Sequence, residues 1–208
     1  QFYHAVYDMK EPYNVYGGLQ DNQSWFAPSQ SAGGIENADW KNLGGGDGFW
    51  VQVDGTNPDM VYAESQGGEA FRSDLKQGKQ YSIKPQATKN EDKLRFNWNS
   101  PIVIGSKNKA NLYMAAQYLY KSTDMGKNWT KISPGLTTNN KAKQNQENSG
   151  GLSADNTSAE NHCTIFTIAE SPLDENMIWV GTDDGNLQYT TDGGKTWTNV
   201  AANYTAAG

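Results

Sequence analysis

Apolar and polar residues follow one another in short runs separated by turns, and the same succession of runs comes round four times. The clearest landmark is a β-rich run at Asn14–Gly17, Met60–Ala63, Asn111–Met114 and Met177–Val180. Pro12, Pro58 and Pro172 mark the turn before three of these runs, and Lys107-Asn108-Lys109 stands before the other. Upstream of each landmark lies a more apolar run: Phe2–Tyr7, Phe49–Val53, Pro101–Ile104 and Thr164–Ile168. Aliphatic and aromatic residues dominate these runs, as expected of innermost strands. Downstream comes a hairpin turn, clearest in Thr182-Asp183-Asp184-Gly185-Asn186, since Asp-Gly readily supplies the positive φ of a tight hairpin. A third strand, a second turn and a fourth strand opening on an aromatic (Trp40, Tyr81, Trp129, Trp197) complete the unit.

Four strands in a repeat of roughly 45–50 residues is the period of a propeller blade. The expected fold is therefore all-β, with about four blades of four antiparallel strands. The repeats span approximately 1–44, 45–96, 97–136 and 161–200. An insertion at 137–160, rich in Asn, Gln, Ser and Gly and without periodicity, reads as a long polar loop.

Composition narrows the function classes. The 208 residues carry a net charge of −6 and no basic run, which argues against nucleic acid and against an anionic membrane surface as partners. No apolar stretch approaches the ~20 residues of a membrane span. Cys163 is the single cysteine, so an internal disulfide and a cysteine zinc site are both excluded. His4 and His162 lie far apart in sequence, and no metal or cofactor is expected. The chain begins at Gln1 rather than Met, which reads as a processed product or an excerpt of a longer chain.

The second turn of two repeats has a specific form: Ser122-Thr123-Asp124-Met125-Gly126-Lys127-Asn128-Trp129 and Thr190-Thr191-Asp192-Gly193-Gly194-Lys195-Thr196-Trp197. The second repeat has a degenerate version from Ser73 to Tyr81, and the first keeps only Trp40. In such a turn the carboxylate and the hydroxyl before it accept bonds from nearby backbone N–H groups. The glycine takes a φ that other residues resist, and the Trp packs between sheets. The motif resembles the Asp-box, or bacterial neuraminidase repeat, of sialidases, sortilin-type receptors and xyloglucanase-like glycosidases. Tyr16–Asn22, Gly44–Trp50, Arg95–Asn99 and Glu160–His162 are similar to bacterial sortilin N-terminal-like proteins described as repeat-containing glycosyl hydrolases. Such proteins have seven or more blades. The resemblance therefore implies part of a larger propeller, completed by blades from the same or another chain, and a secreted or periplasmic location.

Blade topology sorts the loops. The turn between second and third strands shares one end of the propeller with the crossover to the next blade, and ligand sites of propellers are usually there. The Asp-box turns lie at the opposite end, so Ser122, Asp124, Gly126, Trp129, Thr190, Asp192, Gly194 and Trp197 are read as structural. The site-end candidates are Gln20, Asp21, Asn22, Glu64, Gln66, Asp183 and Asp184 from hairpins, and Asp47, Arg95, Asn97, Trp98, Asn99, Glu160 and His162 from crossovers. A glycosidase needs two carboxyl groups about 5–9.5 Å apart, and Asp21, Asp47, Glu64 and Glu160 are the acids available for such a pair. Asp47, Asp21 and Glu160 are the catalytic candidates. Arg95, Asn97, Trp98, Asn99 and His162 are the ligand-binding candidates, by charge, amide bonding and stacking. Arg72 and Arg95 are too few for the arginine triad of a sialidase. The expected function is an extracytoplasmic ligand-binding module for a peptide or glycan, or a scaffold. The alternative is a glycoside hydrolase of xyloglucanase-like type.

Overall fold

The computed structural model describes residues 1–146 and 157–205; part of the polar insertion thus lies outside the described residues. The first sheet contains β1 (Ala5–Tyr7), β2 (Asn14–Gly18), β3 (Ser24–Pro28) and β4 (Lys41–Gly44). The second contains β5 (Gly48–Val53), β6 (Met60–Ser65), β7 (Glu69–Asp74) and β8 (Lys79–Ser82). The third contains β9 (Ile102–Ile104), β10 (Leu112–Ala115), β11 (Leu119–Ser122) and β12 (Thr130–Lys131). The fourth contains β13 (Ile165–Glu170), β14 (Ile178–Thr182), β15 (Leu187–Thr190) and β16 (Thr198–Asn199). Each sheet is an antiparallel meander in which strands pair only with their neighbours in sequence. The expected all-β architecture of four-stranded units is the one found.

The core lies between sheets. Tyr16 and Leu43 of the first sheet meet Val51, Val61, Ala63 and Phe71 of the second. Met60, Tyr62 and Ala70 meet Ile102, Leu112 and Met114 of the third, and Tyr113, Ala115 and Leu119 meet Ile165, Ile168, Ile178 and Val180 of the fourth. A sheet covered on both faces gains burial from every position of a strand, so the second strands read as continuous apolar runs rather than alternating ones. The landmark tyrosines are each sealed in one of these layers and each reaches a carboxylate: Tyr16 to Asp8 (2.8 Å), Tyr62 to Asp54 (2.7 Å) and Tyr113 to Glu170 (2.6 Å). Burial and the adjacent carboxylate push the Tyr16 hydroxyl far above its ordinary pKa, so each pair is a phenol donating to a carboxylate. Glu170 comes from the fourth sheet, so this pair ties two sheets together. Gly105 leaves the room for it, because a Cβ there would stand 2.8 Å from Glu170 Oε2.

The two Ser/Thr-x-Asp turns have matching hydrogen bonds. Ser122 Oγ accepts from Gly126 N (2.9 Å), and Asp124 accepts from Asn128 N (2.9 Å) and Asn128 Nδ2 (2.7 Å). Thr190 Oγ1 accepts from Gly194 N (3.0 Å), and Asp192 accepts from Thr196 N (2.9 Å) and Thr196 Oγ1 (2.6 Å). Gly194 has φ +99°, and a Cβ there would lie 2.2 Å from the Ile132 carbonyl oxygen of the sheet before; only glycine fits. The Trp that follows each turn donates back to that preceding sheet, Trp129 to Ile83 O (2.6 Å) and Trp197 to Ile132 O (3.2 Å).

Tyr81 departs from the expected pattern. It is 44% exposed and lies under the Arg72 guanidinium, 4.9 Å from its ring centroid. The bond to the preceding sheet is made instead by its neighbour, Gln80 Nε2 to Leu43 O (2.8 Å). The shared feature of these three sheets is thus a side-chain N–H aimed at the previous sheet's last carbonyls, and an aromatic ring is one way to carry it.

Candidate functional site

The β2–β3, β6–β7, β10–β11 and β14–β15 turns gather at one end of the molecule with the crossovers, and the Ser/Thr-x-Asp turns sit at the other. One clamp recurs at the first end. Four residues after each landmark aromatic stands Gln20, Gln66, Gln117 or Asp183, and each bonds the segment entering its own sheet. Gln20 accepts from the Tyr3 hydroxyl. Gln66 Oε1 accepts from Asp47 N (2.7 Å), Gln117 Oε1 from Arg95 N (2.8 Å), and Asp183 from Thr164 N (2.9 Å). Gln117 also donates to Lys93 O (3.0 Å) and is buried. These bonds fix the crossovers in space and so fix the side chains they present. Gln117 was outside the sequence candidates; the Tyr-x-x-x-Gln spacing shared with Gln20 and Gln66 was the signal for it.

The predicted residues fall into two groups. Asp21, Asn22, Asp47 and Gln66 come together with Trp25 and Gly45 around a hollow of about 510 Å³. Asp47 Oδ1 accepts from Asp21 N (2.7 Å), and Asp21 has φ +62°. Asp47 therefore pins the β2–β3 turn to the crossover while remaining at the hollow. The second group joins Asn97, Thr164, Asp183 and His162. Asn97 Nδ2 donates to Thr164 Oγ1 (2.9 Å) and Asp183 Oδ2 (3.3 Å), and His162 Nδ1 lies 3.6 Å from Asp183 Oδ1. Asn97 Oδ1 accepts from Asn99 N (3.0 Å), which bends the crossover so that Trp98 projects from it.

Other candidates have local duties. Glu160 accepts from Thr157 N and Oγ1 (both 2.9 Å) and closes the end of the insertion. Asp184 accepts from Thr138 N (2.7 Å) and from Thr182 Oγ1 (2.5 Å); burial alone would raise its carboxyl, yet these bonds hold it below its ordinary value. Arg95 Nη2 reaches Cys163 O at 3.5 Å, and its Nε is buried without a partner.

Glu64 is a correction. As a residue near the β6–β7 hairpin it was an acid available for a glycosidase pair, but it is fully buried beneath the crossover. Its Oε1 accepts from Gly68 N and Ser100 N (both 3.1 Å), and its Oε2 has no partner. Burial raises its pKa well above the ordinary carboxyl value. No substrate atom can touch it, so it belongs to the support of the crossover.

Aromatic residues stand at the entries to successive inner strands, with Tyr3 and Trp98 partly exposed on either side of a fully buried Phe49. Tyr3 precedes β1, Phe49 is the second residue of β5, and Trp98 precedes β9. The Tyr3 and Phe49 ring centroids are 4.8 Å apart, and Phe49 and Trp98 are 6.1 Å apart. Phe49 is buried, Trp98 is half-buried, and Tyr3 is 45% exposed. A second hollow, of about 420 Å³, lies beside Tyr3, Gln20 and Asn22. Asn22 also lines the Asp21–Asp47 hollow, so the two are neighbours. A larger cavity of about 850 Å³ is elsewhere, walled by Lys10, Asp59 and Asp74 on the opposite flank. Among the described residues no group of three or more His, Cys, Asp or Glu side chains is placed to hold a metal ion.

Solved structures share this succession of sheets. A GH74 enzyme from Niastella koreensis superposes with a TM-score of 0.54 at 18% identity, over 89% of this chain and 27% of that one. The GH74 xyloglucanase of Xanthomonas campestris superposes with a TM-score of 0.51 at 14% identity, over 86% of this chain and 26% of that one. The fold is that of β-propeller blades. The chain spans about a quarter of the length of these neighbours, and at such identity the likeness is one of fold. No protein-family model and no curated protein matches the sequence.

Proposed function

We propose that this chain is the glycan-binding part of an extracytoplasmic Asp-box β-propeller, holding a saccharide along the crossover end. The observation that carries this reading is the pair of accessible rings, Tyr3 and Trp98, both packed on the buried Phe49, at the end that holds two neighbouring polar hollows, one of them lined by Tyr3. Sugar rings stack their C–H faces on aromatic rings, and amide and carboxylate groups such as those of Asn22, Gln66 and Asp47 bond the hydroxyls at the edge. One structural neighbour is a xyloglucanase, which supports a β-glucan-type saccharide as the first ligand to try.

The exposed faces of the outermost sheets support a larger ring. Tyr7 is 67% exposed on β1, and Phe166, Thr167 and Ala169 are exposed on β13. Further blades, from the same or another chain, would cover them.

A glycoside hydrolase is the second reading, favoured by the GH74 neighbours. Its acid pair would be Asp21 and Asp47, which share a hollow; Glu64 is sealed and Glu160 is engaged by Thr157. Calorimetric titration with xyloglucan oligosaccharides, together with a reducing-end assay, tests both. Binding without turnover, weakened about tenfold by Trp98→Ala (roughly 1.4 kcal/mol), supports the binding module. Turnover abolished by Asp47→Asn establishes the hydrolase instead. Full affinity in Trp98→Ala overturns the aromatic platform.

A further inference from the structure

A third hollow, of about 620 Å³, opens on the other side of the crossover that carries Trp98. Among the described residues, Lys84, Lys93, Arg95 and Lys141 line it with the acid Asp92, and Lys84 is paired with Glu69 (2.6 Å). With Lys84 so paired, Lys93, Arg95 and Lys141 leave an excess of positive charge at one hollow of a chain of net charge −6, and they come from two separate segments. The fold holds three of the four cationic residues in place. Lys84 is bonded to Gly67 O (3.0 Å) and lies 4.8 Å from the Phe96 ring centroid, and the Gln117 clamp fixes the backbone at Lys93 and Arg95.

We infer that this hollow binds an acidic sugar, a uronic acid residue of a polysaccharide whose neutral part lies on the Trp98 side. The inference rests on the glycan-binding reading and adds the charge of the ligand. The hollow adjoins the Trp98 segment: Gly67 lines it, and the Gly67 N–H donates to Trp98 O (3.1 Å). Its volume suits a short oligosaccharide. The remaining walls are largely amide and hydroxyl, including Gln144, Ser158 and Asn161, which bond sugar hydroxyls. Among the described residues the apolar lining is Leu94 and Phe96, and Phe96 is itself buried and already covered by Lys84. An acidic peptide could meet the same charges, but it lacks the ring hydroxyls that the amide and hydroxyl walls would bond. A carboxylate carried on a hydroxyl-rich ring matches it better, through charge-assisted bonds to lysine and arginine.

The test is titration of the protein with trigalacturonate, with a neutral xyloglucan oligosaccharide and with an acidic hexapeptide. Each is measured on the native chain and on the Lys93→Ala/Lys141→Ala double variant. Both lysines are exposed, so the variant is expected to fold, which circular dichroism verifies. The expected result is that trigalacturonate binds, weakens at least about tenfold in the double variant, and weakens with added salt, while neutral oligosaccharide binding is unchanged. Binding of the neutral sugar without trigalacturonate overturns the inference and leaves the glycan-binding reading standing. Trigalacturonate affinity equal in native and double variant also overturns it. Binding of the hexapeptide alone, with neither sugar, overturns both.

Discussion

Glu64 stands on β6 and Asp47 on the crossover just before β5, and their surroundings give them different duties. Asp47 keeps access to a hollow because the glycine-rich crossover around it has little side-chain bulk. Glu64 lies under the next crossover with one oxygen bonded twice and the other unpaired. A carboxyl whose pKa is raised in the native state favours folding while it is protonated. Stability from Glu64 is therefore fully present below the unfolded value of about 4.3 and is lost as pH rises through its raised native value. Glu64→Gln keeps an acceptor for Gly68 and Ser100 and removes the titration. Melting temperatures of native chain and variant, measured from pH 4 to pH 8, are expected to shift in the variant's favour as pH rises. Parallel curves would show that Glu64 does not titrate in this way. A sequence shows an acid beside a hairpin, but the crossover that covers it is contributed some 30 residues later, so its burial was not legible there.

The turn elements behave oppositely. Bonds from Asn128 hold the Asp124 carboxyl down at about 2, and bonds from Thr196 hold Asp192 below its ordinary value. A depressed carboxylate stabilises the fold above the unfolded pKa of about 3.9, and that contribution disappears as pH falls toward the native value. An Asp124→Asn/Asp192→Asn variant is expected to be less stable than the native chain at pH 7, with the gap closing between pH 4 and pH 2 in urea unfolding. A gap of constant size would mean that the carboxylate charge has no part in holding the turns. These turns were legible in the sequence because every partner lies within four residues. The landmark strands were legible for a related reason, since burial on both faces leaves a continuous apolar run. Tyr81 misled because the fourth-strand position was read for its ring, whereas the structure uses the N–H of Gln80. The site-end clamps at Gln20, Gln66, Gln117 and Asp183 had a regular spacing from the landmark aromatics, but their partners lie in other segments and no local pattern reports them. The cationic hollow is still less local, drawing on residues from Lys84 to Lys141.

At the scale of the molecule, four sheets packed in series leave two faces bare, one at each end of the series. The β13–β14 face carries Phe166, Ala169 and Trp179, with Trp179 stacked on Tyr189 at 4.8 Å. The equivalent tyrosines of the other sheets are sealed against a following sheet. If further blades cover this face in the native assembly, Ala169→Glu buries a charge there and lowers the melting temperature of that assembly. The same substitution in the isolated 208-residue chain, where the residue is exposed, is expected to change little. Equal effects in the two forms would contradict a covered face.

The account places the ligand at the crossover end, at the Tyr3 and Trp98 rings, and away from the Ser/Thr-x-Asp turns. A crystal structure of the protein soaked or grown with a xyloglucan oligosaccharide measures this directly. The account predicts a sugar ring stacked on Trp98, with its hydroxyls toward the hollow at Asp47 and Gln66. A saccharide found instead at the end formed by Asp124 and Asp192, with the Trp98 side empty, would contradict it.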